Sequence, residues 1–219
     1  MILKGKGSDA KSYLITNQHV LFGTTRVSKI DTKAGDYVIQ PAEDLKDVIG
    51  TISKGKYGDH VSKSNRYGLD CASAELDEAK RGYEIGKING LDHAIRHWTD
   101  PQKNMRVQKY GAVTGLTYGI IDQPTWLINP KGTQLYNQIR IKNLETSSTG
   151  FSEAGDSGSI VYTVTEKFVP VAVGLLWGGN KNVKATEHYA TPIGPALDFL
   201  ELDLEYVAPE QLDSLKLED

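Results

Sequence analysis

Short runs of β-branched and aromatic residues recur along nearly the whole chain, most of them closed within a few positions by glycine, proline, asparagine or aspartate. The runs are Lys11–Thr16, Asp36–Gln40, Asp47–Ile52, Tyr67–Leu76, Asn104–Lys109, Thr117–Ile121, Asn137–Ile141, Ser159–Val164 and Val169–Trp177. Parallel strands need a crossover of a dozen or more residues, usually a helix, whereas antiparallel strands need only a turn. The spacing therefore predicts an all-β chain built as a barrel or sandwich. Only two segments read as helical. Leu91–His97 is short; in Pro192–Glu201 proline suits the first turn, and Ile193, Leu197 and Leu200 share one face. A turn cluster at Thr99–Lys103 separates two strand-rich halves, so domains are expected at 1–100 and 101–219. The second is expected to end in the helix and a loosely ordered acidic tail from about Ala208.

With 219 residues the chain is one large domain or two small lobes packed as one, long enough for a substantial core. A net charge of −3 gives no electrostatic case for nucleic acid or an anionic membrane as partner. No apolar run has the length of a bilayer-spanning helix, and Met1–Ser8 has no apolar signal-peptide core. Cys71 is the one cysteine, so no disulfide can form within the chain. These features fit a reducing compartment, as they would a disulfide-free secreted bacterial protein, and a cytoplasmic location is expected.

Among the turns, Gly155-Asp156-Ser157-Gly158-Ser159 carries chemistry. Glycines beside a serine permit a tight turn and let another backbone approach closely. The N–H groups of such a turn, pointed inward, form a concavity for negative charge. A serine hydroxyl needs a base, usually a histidine held by a carboxylate. Of the five histidines, His19 follows the strand Lys11–Thr16 directly and is expected at a strand end. His60 lies in a Lys/Gly/Ser-rich stretch and reads as solvated; His188 reads as structural or near a substrate cleft. His93 and His97 are spaced for one helical face but have no evident third ligand, so no metal is expected there. Asp70, between small and apolar residues, is the carboxylate whose charge most needs a partner. Asp156 reads as shaping the turn. The order His19, Asp70, Ser157 differs from the order in α/β-hydrolases and in subtilisin-type enzymes, and Ser159 replaces the last glycine of the hydrolase elbow.

At these positions the sequence resembles the chymotrypsin-fold (trypsin-like) serine peptidases, in particular their prokaryotic-type domains. Thr16-Asn17-Gln18-His19-Val20 is similar to the histidine motif, Gly68–Leu76 to the aspartate motif, and Gly155-Asp-Ser157-Gly to the nucleophile motif. Val173–Gly179 is similar to the strand lining the primary specificity pocket, and Lys109–Gly119 to a Lys-x-Gly-x-x-Thr-Gly-x-Thr-x-Gly hairpin. The resemblance spans about Tyr13 to about Leu200. It implies two six-stranded antiparallel β-barrels with a C-terminal helix. Ten or so residues before the His19 strand are fewer than the family places there. The N-terminal barrel is therefore expected to be incomplete, or completed by a larger parent chain or a partner.

Carried over, the family implies that Ser157 attacks a scissile carbonyl, His19 acts as general base and then acid, and Asp70 holds the imidazole. The N–H groups of Gly155 and Ser157 would form the oxyanion hole, a donor of that kind stabilising the transition state by roughly 3 kcal/mol. No metal or organic cofactor is implied, and the partner is a protein or peptide substrate. Phe151, Ser152, Leu176, Trp177, Gly178 and Gly179 would line the specificity pocket. An absent acidic pocket base argues against Lys or Arg before the scissile bond, and Leu176 argues against Glu. An apolar or small residue is expected there. The sequence has no Ile-Val-Gly-Gly start, so activation by a freed N-terminus is not supported. Two alternatives stand beside an active endopeptidase: a catalytically silent interaction module on a protease fold, and a peptidase that cuts only its own precursor or one cognate partner.

Overall fold

The computed structural model describes residues 1–7, 11–23, 33–39, 48–79, 82–144, 150–179 and 187–217. Gln40 and Asp47, ends of two expected strands, lie outside these residues. The all-β expectation holds, and the strands fall into two sheets.

The first sheet contains β1 (Ile2–Lys4), β2 (Ser12–Thr16), β3 (Tyr37–Ile39), β4 (Val48–Ser62) and β5 (Asn65–Leu76). Its order is β1-β2-β5-β4-β3, a curled half-barrel of five strands among the described residues rather than a closed barrel of six. The long hairpin β4–β5 corrects the sequence expectation. Lys54–Ser62, with its glycines and lysines, resembles a loop, but it pairs with Ser73–Asn65 almost residue for residue, with one register shift at Ile52/Lys54. His60 accordingly sits in a strand, its ring edge-on to Phe199 at 5.5 Å.

The second sheet is built from β7 (Arg106–Gly111), β8 (Gly115–Ile128), β9 (Leu135–Asn143), β10 (Ile160–Val164), β11 (Pro170–Gly179) and β12 (Glu187–Pro192). The β10–β11 pairing closes these six into a barrel. Two short strands, β6 (His97–Trp98) and β13 (Glu205–Tyr206), extend it in parallel from β11. The tail is thus more ordered than expected: the Tyr206 ring packs against Trp98 at 4.7 Å, tilted by 55°, and Pro209–Ser214 form a 3-10 turn. Leu91–His97 is not a helix; it is irregular chain leading into β6, and only its Ile95 and His97 are buried. The apolar spacing there is too short to sustain a helix, since nucleation needs more turns than it supplies.

Helix α2 (Ile193–Leu200) forms as its apolar spacing predicts, with Ile193, Leu197 and Leu200 buried. It joins one core shared by both sheets: Leu3, Ile15, Leu69 and Cys71 from the first, Ile160, Tyr162 and Leu175 from the second. Cys71 is fully buried, and burial, followed by the Asp70 charge, pushes its thiol well above the usual range. A second cluster fills the barrel, with Val107, Ile121, Ile139, Ile141, Phe151, Val161 and Val173. Alternation along β10 divides the two: Ile160 and Tyr162 face the shared core, Val161 the barrel.

A candidate serine-nucleophile site at the seam between the sheets

His19 lies three residues beyond the expected strand end, in the single helical turn α1 (Gln18–Leu21) that follows β2. Asn17, fully buried, donates from Nδ2 to the Asp70 carbonyl at 2.8 Å and so fastens the start of this turn to β5. Asp70 is 1% exposed, and both of its oxygens hold His19. Oδ1 accepts the His19 backbone N–H at 3.2 Å, and Oδ2 is 2.6 Å from His19 Nδ1. An ionised carboxylate has no proton to give, so Nδ1 carries the hydrogen and Nε2 keeps its lone pair. The arrangement yields an oriented imidazole with a free basic nitrogen. Tyr57 pairs with Asp70 across the β4–β5 ladder, and burial, then the Asp70 charge, raises its phenol above the usual range.

The Gly155–Ser159 turn reaches the same seam from the second barrel. Gly158 has φ +89°, and a Cβ there would lie 2.1 Å from Thr16 Oγ1. The serine turn therefore presses on the residue three positions before His19, a contact only glycine allows. The Ser157 hydroxyl donates to the Trp177 carbonyl at 3.4 Å, and among the described residues no hydrogen bond joins Ser157 to His19. The Gly158 N–H donates to the Leu176 carbonyl at 2.8 Å, tying the turn to β11. Among the described residues, the N–H groups of Gly155 and Ser157 have no hydrogen-bond partner, as donors for an incoming oxygen require.

Asp156 does shape the turn, and its partner is one that sequence reasoning missed. Its carboxylate is 3.1 Å from the Lys109 ammonium, and both side chains are wholly excluded from solvent. Asp156 also accepts the N–H groups of Val113 (2.9 Å), Thr114 (3.2 Å) and Glu153 (3.0 Å), and the Thr114 hydroxyl (2.7 Å). Burial alone would raise the Asp156 carboxyl; the Thr114, Glu153, Val113 and Lys109 hydrogen bonds outweigh it and bring it down to about 2. Burial lowers Lys109, opposed by the Asp156 charge, and its ammonium also donates to Thr114 Oγ1 and, at 3.2 Å, to the Gly115 carbonyl. The signal was present: Val107, Lys109 and Gly111 share the inward face of β7, so the lysine alternates with buried positions.

Of the expected pocket residues, Phe151 and Leu176 are buried in the second-barrel cluster. Phe151 is held by its N–H to Asn143 Oδ1 at 2.7 Å. Ser152 Oγ is 2.8 Å from Nδ1 of the fully buried His188, whose Nε2 is 2.8 Å from Asn143 Oδ1. Asn143 Oδ1 already accepts from Phe151, so His188 Nε2 is the donor and Nδ1 accepts the Ser152 hydroxyl. Trp177, Gly178 and Gly179 reach the surface, with Trp177 stacked on Tyr189 at 5.6 Å. His93 and His97 share no helical face, and among the described residues no group of three His, Cys, Asp or Glu is arranged to hold a metal ion.

No protein-family model matches the chain, and no curated protein matches its sequence. Solved structures do. Thermobifida fusca protease A superposes with a TM-score of 0.64 at 17% identity, over 93% of this chain and 88% of its own. A glutamic acid-specific serine protease that uses a histidine triad in substrate binding gives 0.63 at 16% identity, over 90% and 88%. Nocardiopsis protease gives 0.59 at 14% identity, over 93% and 89%. The fold is thus the chymotrypsin-like fold of bacterial serine proteases, with the first barrel a curled half among the described residues. No helix of the described residues is long and apolar enough to cross a membrane.

Proposed function

We propose that this chain, which has a protease fold, is a serine endopeptidase acting through Ser157, His19 and Asp70. The observation that carries the reading is the His19–Asp70 pair. A solvent-excluded carboxylate fixes one tautomer of a partly exposed imidazole beside a glycine-flanked serine turn. In the reaction Ser157 Oγ attacks the scissile carbonyl carbon while its proton passes to His19 Nε2. Asp70 stabilises the imidazolium that forms, and the carbonyl oxygen takes the N–H groups of Gly155 and Ser157. Collapse of the adduct breaks the C–N bond, His19 returns the proton to the leaving amine, and water then releases the acyl group by the same steps. The 3.4 Å bond to Trp177 means that Ser157 must turn about its Cα–Cβ bond to meet His19. Such looseness is usual before substrate binds.

Lys109 supports a corollary. An internal ammonium pins Asp156 next to the nucleophile, so the turn needs no freed N-terminus to take its shape. The substrate is a protein or peptide, with an apolar or small residue preferred before the scissile bond.

A fluorophosphonate tests the reading. Ser157 Oγ should displace fluoride from phosphorus, with His19 taking the proton, and the intact mass should rise by one phosphonyl group that maps to Ser157. Ser157→Ala and His19→Ala should abolish labelling. A wild-type chain that stays unlabelled, its Ser157 still turned to Trp177, would instead favour the silent interaction module.

A further inference from the structure

The side chain that joins the two halves of the site is an amide outside the candidate triad, on a strand of the second barrel. Gln138 lies in β9 and is fully buried. Its Nε2 donates to the Gly68 carbonyl at 2.7 Å and to the Tyr136 carbonyl at 2.8 Å. Its Oε1 accepts the Trp177 indole N–H at 2.8 Å, with the Thr191 hydroxyl at the longer 3.5 Å. All four hydrogen-bonding positions of the amide are filled, two by carbonyl oxygens and two by donors. A flipped amide would set oxygen against oxygen and N–H against N–H, so one orientation is fixed.

The partners give this amide its importance. Gly68 lies two residues before Asp70 on β5, and there the two sheets touch backbone to backbone: a Cβ on Gly68 would fall 2.4 Å from Leu135 Cα. Trp177 lies on β11, and its carbonyl accepts the Ser157 hydroxyl. The Asp70 N–H leans on Thr191 Oγ1 at 3.4 Å, and that hydroxyl in turn leans on Gln138. One carboxamide thus touches the strand that carries the carboxylate and the residue whose carbonyl holds the serine.

We infer that Gln138 is a positioning residue that sets the register of the Asp70 strand against the Trp177–Ser157 side of the seam. It contacts no reacting atom; it acts through Gly68 and Trp177. For its activity readout the inference rests on the peptidase reading.

The test compares Gln138→Leu and Gln138→Glu with wild type. It follows fluorophosphonate labelling of Ser157, the Nδ1–H proton resonance of His19 and the indole N–H resonance of Trp177, each assayed well below the variant's melting temperature. Gln138→Leu removes every bond and should move both resonances and slow labelling about 10–100-fold, the scale of an ångström misplacement in an active site. Gln138→Glu keeps an acceptor for Trp177 but turns an oxygen toward the Gly68 carbonyl. The Trp177 resonance should then stay near its wild-type position while the His19 resonance moves and labelling slows. If Gln138→Leu does not fold, Gln138→Glu alone decides. Asn137→Asp removes a different bond between the sheets, the 2.9 Å bond from Asn137 Nδ2 to the Arg66 carbonyl, and should leave labelling at the wild-type rate. Wild-type labelling with an unmoved His19 resonance in the Gln138 variants overturns the inference. So does equal slowing in Asn137→Asp, which would assign the effect to general loosening. An unlabelled wild type would sink the peptidase reading and leave the two resonances to decide the role of Gln138.

Discussion

The carboxylate of Asp156, one residue before Ser157, lies 3.1 Å from the ammonium of Lys109, and water reaches neither. Removing one member of such a pair leaves the other buried and uncompensated. Lys109→Met should therefore cost about 3–5 kcal/mol in a denaturant titration, the usual range for breaking a buried pair. Labelling of Ser157 should fall with it, because the turn loses its anchor. Wild-type stability in Lys109→Met would show that Thr114 and the backbone donors suffice.

The same carboxylate sets an acid limit. Its pKa of about 2 lies below the unfolded value near 3.8, so its stabilisation is complete above roughly pH 4 and is lost as pH falls toward 2. A shift of that size corresponds to about 2–3 kcal/mol. Urea midpoints measured from pH 5 down to pH 2 should fall steeply in wild type. Asp156→Asn should be less stable at neutral pH and flatter across that window.

Asp70 is expected to act through the tautomer of His19 rather than by taking its proton. Asp70→Asn can donate to Nδ1, which places the hydrogen on Nε2 and leaves no base for Ser157. Labelling at neutral pH should slow by about four orders of magnitude, with the fold intact by circular dichroism. A loss smaller than tenfold would show that His19 is oriented by something else.

Gly158→Ala places a methyl group 2.1 Å from Thr16 Oγ1 at a φ of +89°. The strain of the backbone conformation alone is about 1–3 kcal/mol. The displaced turn should also slow labelling. Thr16→Ala in the same chain removes the hydroxyl and should restore part of the labelling rate, while the backbone strain persists in the melting temperature. No recovery in the double variant would mean that the Thr16 contact does not place the turn.

How much of this was legible in the sequence depended on whether a residue's neighbours lay nearby in the chain. His19, Asp70 and Ser157, the candidate triad, each stood in a local context that singled them out as candidates: a polar motif after a strand, a charge among small apolar residues, a serine between glycines. Helix α2 carried its own apolar face. Gln138 looks like a surface residue, and alternation along β7 marks Lys109 as inward but not what it pairs with, because their partners lie 70 and 47 positions away and only folding brings them close. The β4–β5 hairpin was partly misread for the same reason. Glycine and lysine in Lys54–His60 weaken any local strand signal, and the pairing that overrides it comes from the facing strand. Leu91–His97 failed in the opposite way, since a helical spacing without enough turns or a face to bury yields irregular chain.

Cys71, the residue after Asp70, has a consequence for how this protein can be watched. Its thiol is the only one in the chain, sealed in the core that both sheets share, and its burial keeps it protonated. An alkylating reagent can reach it only when that core opens. The chain thus contains a built-in clock at the base of its own candidate site. The rate at which Cys71 is alkylated in native buffer reads the opening of the strand bearing Asp70, with no residue changed.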